Sequence, residues 1–338
     1  MTVTEGRSAA TYSSGPAGTP LVELEGLVVE YPVADGSVRA VDEVSLAIYP
    51  GEIVGLAGES GCGKSTIAHS LLRILKPPGS ITGGRVLFRG EDILTLSVRE
   101  LRRFRWRNVS IVFQSAMNSL NPVMRVGDQF VDMFKAHESV RKSEALRRSG
   151  ELLELVGIDP ARLRAYPHEL SGGMRQRVVI AMALGLSPEL LIMDEPTTAL
   201  DVVVQREILQ EIEELQRELG FAVLFITHDL SLLVEFSDRI AIMYAGKIVE
   251  LAAAETLFER PQHPYTVGLM SSFPPLTGEK ARLLGIPGSP PDLAHPPSGC
   301  RFHPRCSRAE ARCASEEPIL RRLSGGQLAA CHFPGEVS

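Results

Sequence analysis

The chain has 338 residues, room for one large domain and an appendage. A hydrophobic content of 44% and a charged content of 22% are those of a folded protein, and a net charge of −6 argues against a general nucleic-acid binder. No run of eighteen or more apolar residues occurs, since the longest candidate, VVIAMALGLSPELLIM, is broken at Ser187 and Pro188, so any membrane work falls to separate subunits.

Residues 1–20 are rich in Ser, Thr, Gly, Ala and Pro and lack an apolar stretch, so they read as a flexible tail and not a signal peptide, which points to the cytosol. From Leu21 to about Phe113 the alternation in LVELEGLVVEY and VRAVDEVSLAIY predicts half-exposed antiparallel strands. Within that stretch EIVGLA, then GESGCGKST (Gly58 to Thr66), then IAHSLLRIL read as strand, glycine-rich turn and helix. Gly58, Gly63, Lys64 and Ser65 fit the phosphate-loop spacing, in which backbone N–H groups and a helix N-terminus face the phosphates of ATP. Lys64 then reaches the β- and γ-phosphates and Ser65 ligates Mg²⁺, with Glu59, Ser60, Gly61, Cys62 and Thr66 completing the loop. The basic run RELRRFRWR (Arg99 to Arg107) reads as an amphipathic helix with its aromatics inward and its five arginines solvated.

From Gln114 to about Gly185 the pattern is helical, with Leu146, Leu152, Leu153 and Val156 on one face before a capping Gly157. Apolar runs then return as LLIMD, AVLFIT and RIAIMY, short enough for strands of a buried parallel sheet. Val204, Ile208, Ile212, Leu215 and Leu219 mark a crossover helix between the first two, so the core is α/β. LLIMDEP delivers Asp194 and Glu195 to the C-terminal end of its strand, the edge where open α/β sheets bind ligands. Asp194 holds Mg²⁺ through water and Glu195 polarises the attacking water, as phosphoryl transfer requires.

Five strings in fixed order (GESGCGKST, VFQ, LSGGMRQR, LLIMDEP and THD) resemble the motifs of the ATP-binding subunits of ABC transporters, over roughly Leu21 to Leu251. The resemblance implies an ABC-type nucleotide-binding domain over 21–255: a RecA-like core, an antiparallel β subdomain, and a helical subdomain at about 115–185. It also implies two such subunits meeting head to tail, so that Ser171, Gly172 and Gly173 cap the γ-phosphate of the partner's nucleotide. Gln114 is similar to the family's metal-touching glutamine, His228 to its switch histidine, and Tyr31 to the aromatic on which adenine stacks. Ala199, Leu200 and Asp201 resemble the loop that crosses the dimer interface, and the loop from Ser115 to Pro122, with Leu120, resembles the socket for a cytoplasmic helix of the permease. A second LSGGQ, Leu323 to Gln327, matches the signature string but has no acidic strand after it, and Gly325 and Gly326 read as a turn.

Beyond Leu251 the stretches PQHPY, SFPPL and IPGSPPDLAHPP read as extended connectors, followed by Cys300, Cys306, Cys313 and Cys331. Disulfides are disfavoured in a cytosolic chain. The spacing C-x₅-C-x₆-C-x₁₇-C lacks the tight pairs usual for zinc, while iron–sulfur clusters tolerate wider spacing and free thiols remain open. GCRFHPRCSRAEARC also resembles the C-terminal extension, here 256–338, of importer ATPases of the peptide/nickel/oligosaccharide branch, some of which carry a [4Fe–4S] cluster; Ser307 departs from the usual proline. The expectation is therefore a [4Fe–4S] cluster, with Zn²⁺ as the alternative. The resemblance further implies an ATPase energising uptake of oligopeptides, dipeptides or a related solute. It works at the cytoplasmic face of the membrane with a second ATPase subunit, two permease subunits and, indirectly, a solute-binding protein.

Overall fold

The computed structural model describes residues 18–34, 36–114, 119–196, 201–271 and 285–335. Two units are resolved: one takes in the chain through Tyr49, Glu59–Thr95 and the chain from Ala241 on, the other Pro50–Gly58 and Leu96–Ile240.

In the first unit, β1 (Val22–Val33) and β2 (Gly36–Ile48) pair antiparallel, Val22 opposite Ile48 and Tyr31 opposite Val38. Their alternation buries Leu24, Leu27, Val29, Val44 and Leu46 on one face, as a sheet solvated on its other side requires. β3 (Ile53–Ala57), in the second unit, is buried at every residue. The loop after it leads into α1 (Lys64–Leu71) of the first unit. β4 (Ser80–Phe88) and β5 (Glu91–Asp92) complete the antiparallel sheet in the order β2-β1-β4-β5.

The second unit continues with α2 (Val98–Arg107), which opens on a capping box of Ser97 and Glu100. Leu101 and Phe104 are buried, Arg102, Arg103 and Arg107 exposed, and Trp106 leaves the helix at φ 72. β6 (Val109–Val112) follows, then the helices α3 (Val126–His137), α4 (Lys142–Leu155) and α5 (Gly172–Leu184). On α4 the buried face is Ala145, Ser149, Gly150 and Leu153, and the chain leaves past Gly157 at φ 66.

β7 (Leu190–Asp194), α6 (Val202–Leu219) and β8 (Ala222–Ile226) form the expected crossover, and α7 (Leu230–Phe236) follows. Within this unit the strands run parallel in the order β6-β7-β8-β3, with Val109 opposite Leu190, Asp194 opposite Ile226 and Ile53 opposite Val223. On α6 the core residues are Ile208, Leu209, Ile212 and Leu215. Leu219, expected on that face, is 51% exposed because the helix ends there at the left-handed Gly220.

The chain then passes through β9 (Arg239–Tyr244) to β10 (Lys247–Ala253) in the first unit. The segment read as extended connectors contains α8 (Ala254–Glu259) and α9 (Pro264–Ser271), while 286–297 is free of regular elements. After α10 (Ala311–Ser315), β11 (Arg321–Arg322) and β12 (Leu328–Ala329) form a hairpin, and β12 pairs antiparallel with β10 through Glu250–Ala329 and Leu251–Leu328. The second LSGGQ is the turn of that hairpin, closed by Leu323 N to Gln327 O at 2.8 Å, with Gly326 at φ 83.

Candidate functional site

The phosphate loop is set by its glycines. Gly58, Gly61 and Gly63 take φ values of 153, 78 and 112, where only glycine sits without strain. A Cβ on Gly63 would lie 2.2 Å from the Ala40 carbonyl oxygen and 2.6 Å from the Met243 methyl, so this position also needs the missing side chain for space. Gly63 is the N-cap of α1, which places the amide end of that helix at the loop. Lys64 is 5% exposed, its Nζ donating to the Glu59 carbonyl at 3.0 Å. Cys62 is buried, burial pushes its thiol up, and its carbonyl accepts from Gly246 N at 2.9 Å. Ser65 and Thr66 are half-buried in the first turn of α1, while Ser60 and Gly61 are exposed. A left-handed glycine cradle, a buried ammonium and a helix N-terminus suit an anionic phosphate chain.

In the second unit the acidic strand end gathers four of the predicted residues. Asp194 closes β7 and is 3% exposed. Glu195 follows at φ 45, its N–H donating to Ile226 O at 2.9 Å. Gln114 Nε2 donates to Glu195 Oε2 at 2.8 Å, and His228 Nδ1 lies 3.5 Å from Glu195 Oε1 with its side chain 62% exposed. The sequence named all four but gave no reason to expect Gln114 and His228 on the Glu195 carboxylate: Gln114 and Glu195 are 81 positions apart. Asp229 caps α7, its Oδ1 accepting from Ser231 N at 2.9 Å, and this fixes the chain just after His228.

Ser171 is the N-cap of α5 and accepts from Met174 N at 3.2 Å, with Gly172 and Gly173 forming the first turn. Gly173 is close-packed, since a Cβ there would meet Val204 Cγ1 at 3.0 Å. Asp201 caps α6 through Val203 and Val204 N–H groups; Ala199 and Leu200 lie outside the described residues. Tyr31 is half-buried on β1, its ring against Gly79, where a Cβ would come within 2.4 Å of Tyr31 Cε1. Of the loop read as a permease socket, 115–118 lie outside the described residues; Leu120 is 5% exposed, whereas Val123 is 80% exposed. Leu120 is therefore core, and the exposed apolar side chain is Val123, one residue past that loop.

The metal centre expected at Cys300, Cys306, Cys313 and Cys331 is corrected. Among the described residues no group of three or more His, Cys, Asp or Glu side chains is placed to hold a metal, neither iron–sulfur nor zinc, and the four cysteines are free thiols. They line one small, largely apolar recess with His263, Phe302 and Phe333. Burial pushes the thiols of Cys306 and Cys331 up and that of Cys300 to about 11. A segment poor in apolar periodicity needs some other tie to offset the entropy of ordering it. Packing supplies it: β12 adds to β10, and Tyr244, Tyr265, Phe302 and His263 form an aromatic cluster with centroids 4.5 to 5.7 Å apart. Arg301 adds an ion pair to Asp42 and donates a hydrogen bond to the Ala245 carbonyl.

One residue the sequence did not single out reaches the phosphate loop from this segment. Arg305 is 8% exposed and forks onto Glu59, Nη1 to Oε2 at 2.6 Å and Nη2 to Oε1 at 2.9 Å; hydrogen bonding to that carboxylate holds the guanidinium firmly protonated. The partners are 246 positions apart, beyond any local signal.

The fold and these residues define an α/β phosphate-loop nucleotide hydrolase. Residues 41–198 match the ABC transporter family, and 249–313 match the oligopeptide/dipeptide transporter C-terminal region. The chain is 45% identical over 329 residues to the oligopeptide transport ATP-binding protein OppD of Salmonella typhimurium, covering 97% of each chain. It is 44% identical over 316 residues to the dipeptide transport ATP-binding protein DppD of Caldanaerobacter subterraneus, covering 93% of this chain and 97% of the relative. The dimeric structure of MJ0796, a bacterial ABC transporter cassette, superposes with a TM-score of 0.61 at 28% identity, over 69% of this chain and 98% of that one. The chain belongs to the ATP-binding subunits of ABC transporters and is an ATPase.

Proposed function

We propose that this chain hydrolyses ATP to energise an importer of oligopeptides or dipeptides, as a peripheral subunit at the cytoplasmic face of the membrane. No described helix is long and apolar enough to cross a membrane, so the path for solute belongs to two permease subunits. A second ATPase subunit completes the nucleotide sites, and a solute-binding protein feeds the permease. The peptide reading is supported by similarity that runs through the C-terminal region as well as the ATPase.

Gly58 to Thr66 cradle the phosphates, Lys64 neutralises the β- and γ-phosphates, and Tyr31 stacks on adenine. Ser65, Gln114 and Asp194 offer a hydroxyl, an amide oxygen and a carboxylate, the hard oxygen donors that Mg²⁺ takes. Mg²⁺, when bound, neutralises charge developing on the transferred phosphoryl group. With Gln114 Nε2 on Glu195, the amide Oε1 is the oxygen left to ligate the metal.

The observation that carries the hydrolytic reading is the placement of Glu195. It stands in a left-handed conformation at the end of a buried strand, with one carboxylate oxygen held by Gln114 and the other beside His228. Glu195 orients the attacking water and accepts its proton, and His228 contacts the γ-phosphate. Ser171, Gly172 and Gly173 cap the γ-phosphate held by the partner subunit. The transport reading is tested by reconstituting the chain with its permease and binding protein in vesicles. ATP hydrolysis is expected to rise with added oligopeptide; stimulation by a sugar or by nickel and not by peptide would overturn the choice of solute.

A further inference from the structure

Glu59 stands inside the phosphate loop, and every backbone and side-chain polar group it has is engaged. Its N–H donates to Tyr265 Oη at 2.9 Å, its carbonyl accepts from Lys64 Nζ at 3.0 Å, and its carboxylate receives the Arg305 fork at 2.6 and 2.9 Å. Arg305 is itself fixed from behind. Its Nε donates to Pro287 O at 2.8 Å, Nη2 to Gly288 O at 3.4 Å and Nη1 to Tyr244 Oη at 3.3 Å. The guanidinium also lies over the Tyr244 ring, 5.8 Å from its centroid. Tyr244 and Tyr265 pack on each other at 4.5 Å, so Tyr265 and Arg305, two of the three partners of Glu59, rest on one aromatic cluster.

A carboxylate in a loop that receives a polyanion is a liability, because it repels the ligand at short range. A planar, bidentate, buried guanidinium removes that repulsion and fixes the loop's geometry together. Anchoring of the C-terminal segment alone does not call for this pair, since β12, Arg301 and the aromatic cluster already tie that segment down. We propose that Arg305 is a positioning residue for ATP binding: it neutralises Glu59 and, with Tyr265, presets the phosphate loop, so that the C-terminal region sets nucleotide affinity. This rests on the reading of Gly58 to Thr66 as the ATP site.

The test measures binding of a fluorescent ATP analogue, ATPase KM and kcat, and thermal melting, on the full chain. Arg305→Gln is expected to weaken nucleotide binding and raise KM about tenfold, mid-range for coupled residues in contact, with kcat little changed. Arg305→Lys, which restores charge without the fork, should fall between the two. Adding Glu59→Gln to Arg305→Gln removes the uncompensated charge and should recover most of the affinity. A purely anchoring role predicts no recovery, and that result, or wild-type affinity in folded Arg305→Gln, overturns the proposal. Lys64→Ala separates the two readings. If it binds ATP like wild type, the site itself is misassigned; if it loses binding while Arg305→Gln does not, only the role of Arg305 fails.

Discussion

Glu195 and Gly63 show at the residue scale how backbone conformation sets chemistry. A non-glycine residue at φ 45 costs about 1–3 kcal/mol and persists where surrounding structure fixes it, here through the Glu195 N–H to Ile226 O bond. The outlier falls on the carboxylate that Gln114 and His228 flank, so the strain re-aims a side chain at the end of β7. Gly63 is constrained twice, by φ 112 and by the Ala40 carbonyl, whereas Gly61 at φ 78 has open space around its Cα. Gly63→Ala is therefore expected to lower stability by more than about 1 kcal/mol and to lose nucleotide binding, with Gly61→Ala milder on both counts. Melting and binding measured on the two variants decide it; equal effects would mean that φ alone matters at this loop.

At the scale of elements, β10 carries Glu250, which is fully buried and receives Gln262 N at 2.7 Å and His263 N at 2.9 Å ahead of α9. Burial raises its carboxyl from 4.5 to about 7, so the folded state holds the proton more tightly than the unfolded state. Its contribution to stability is thus greatest at low pH and falls as pH rises from about 4.5 to about 7. Neighbouring His263, pushed down by burial to about 4, acts in the opposite sense, favouring the fold more as pH rises through 4 to 6.5. The difference in melting temperature between wild type and Glu250→Gln cancels the histidine and should turn against wild type across that window; a flat difference contradicts the buried carboxyl. A second expectation concerns Val123, exposed just past the loop proposed as the permease socket. Val123→Asp should stop transport in the reconstituted importer while basal ATP hydrolysis continues; joint loss in a folded variant would place Val123 in the ATPase and not at the permease.

The same elements show what the sequence made legible. EIVGLA, LLIMD and AVLFI are short and apolar but for Glu52 and Asp194 at their ends, and each carries a fully buried strand, as a parallel sheet covered on both faces requires. The phosphate loop and the acid pair were legible because their chemistry demands fixed spacing. The C-terminal region was not, since its order comes from contacts across long separations: Glu250 with Ala329, Arg301 with Asp42, Arg305 with Glu59. Cysteine spacing carried a metal argument there, while the thiols lie in an apolar recess, where burial pushes those of Cys300, Cys306 and Cys331 up.

At the scale of the whole molecule, the family membership implies nucleotide sites shared between two chains, with the signature serving the partner's ATP. Ser171→Arg is then expected to leave ATP affinity of the isolated chain intact while abolishing turnover of the assembled importer. Affinity and turnover falling together would place Ser171 at its own chain's nucleotide. Glu195 as the hydrolytic centre of a working ATPase is decided by Glu195→Gln in the assembled importer. ATP binding is expected to persist, hydrolysis to drop by about 10²–10³-fold, the scale for a positioned general base, and ATP-filled closed complexes to accumulate without uptake. Undiminished hydrolysis in that variant would contradict it.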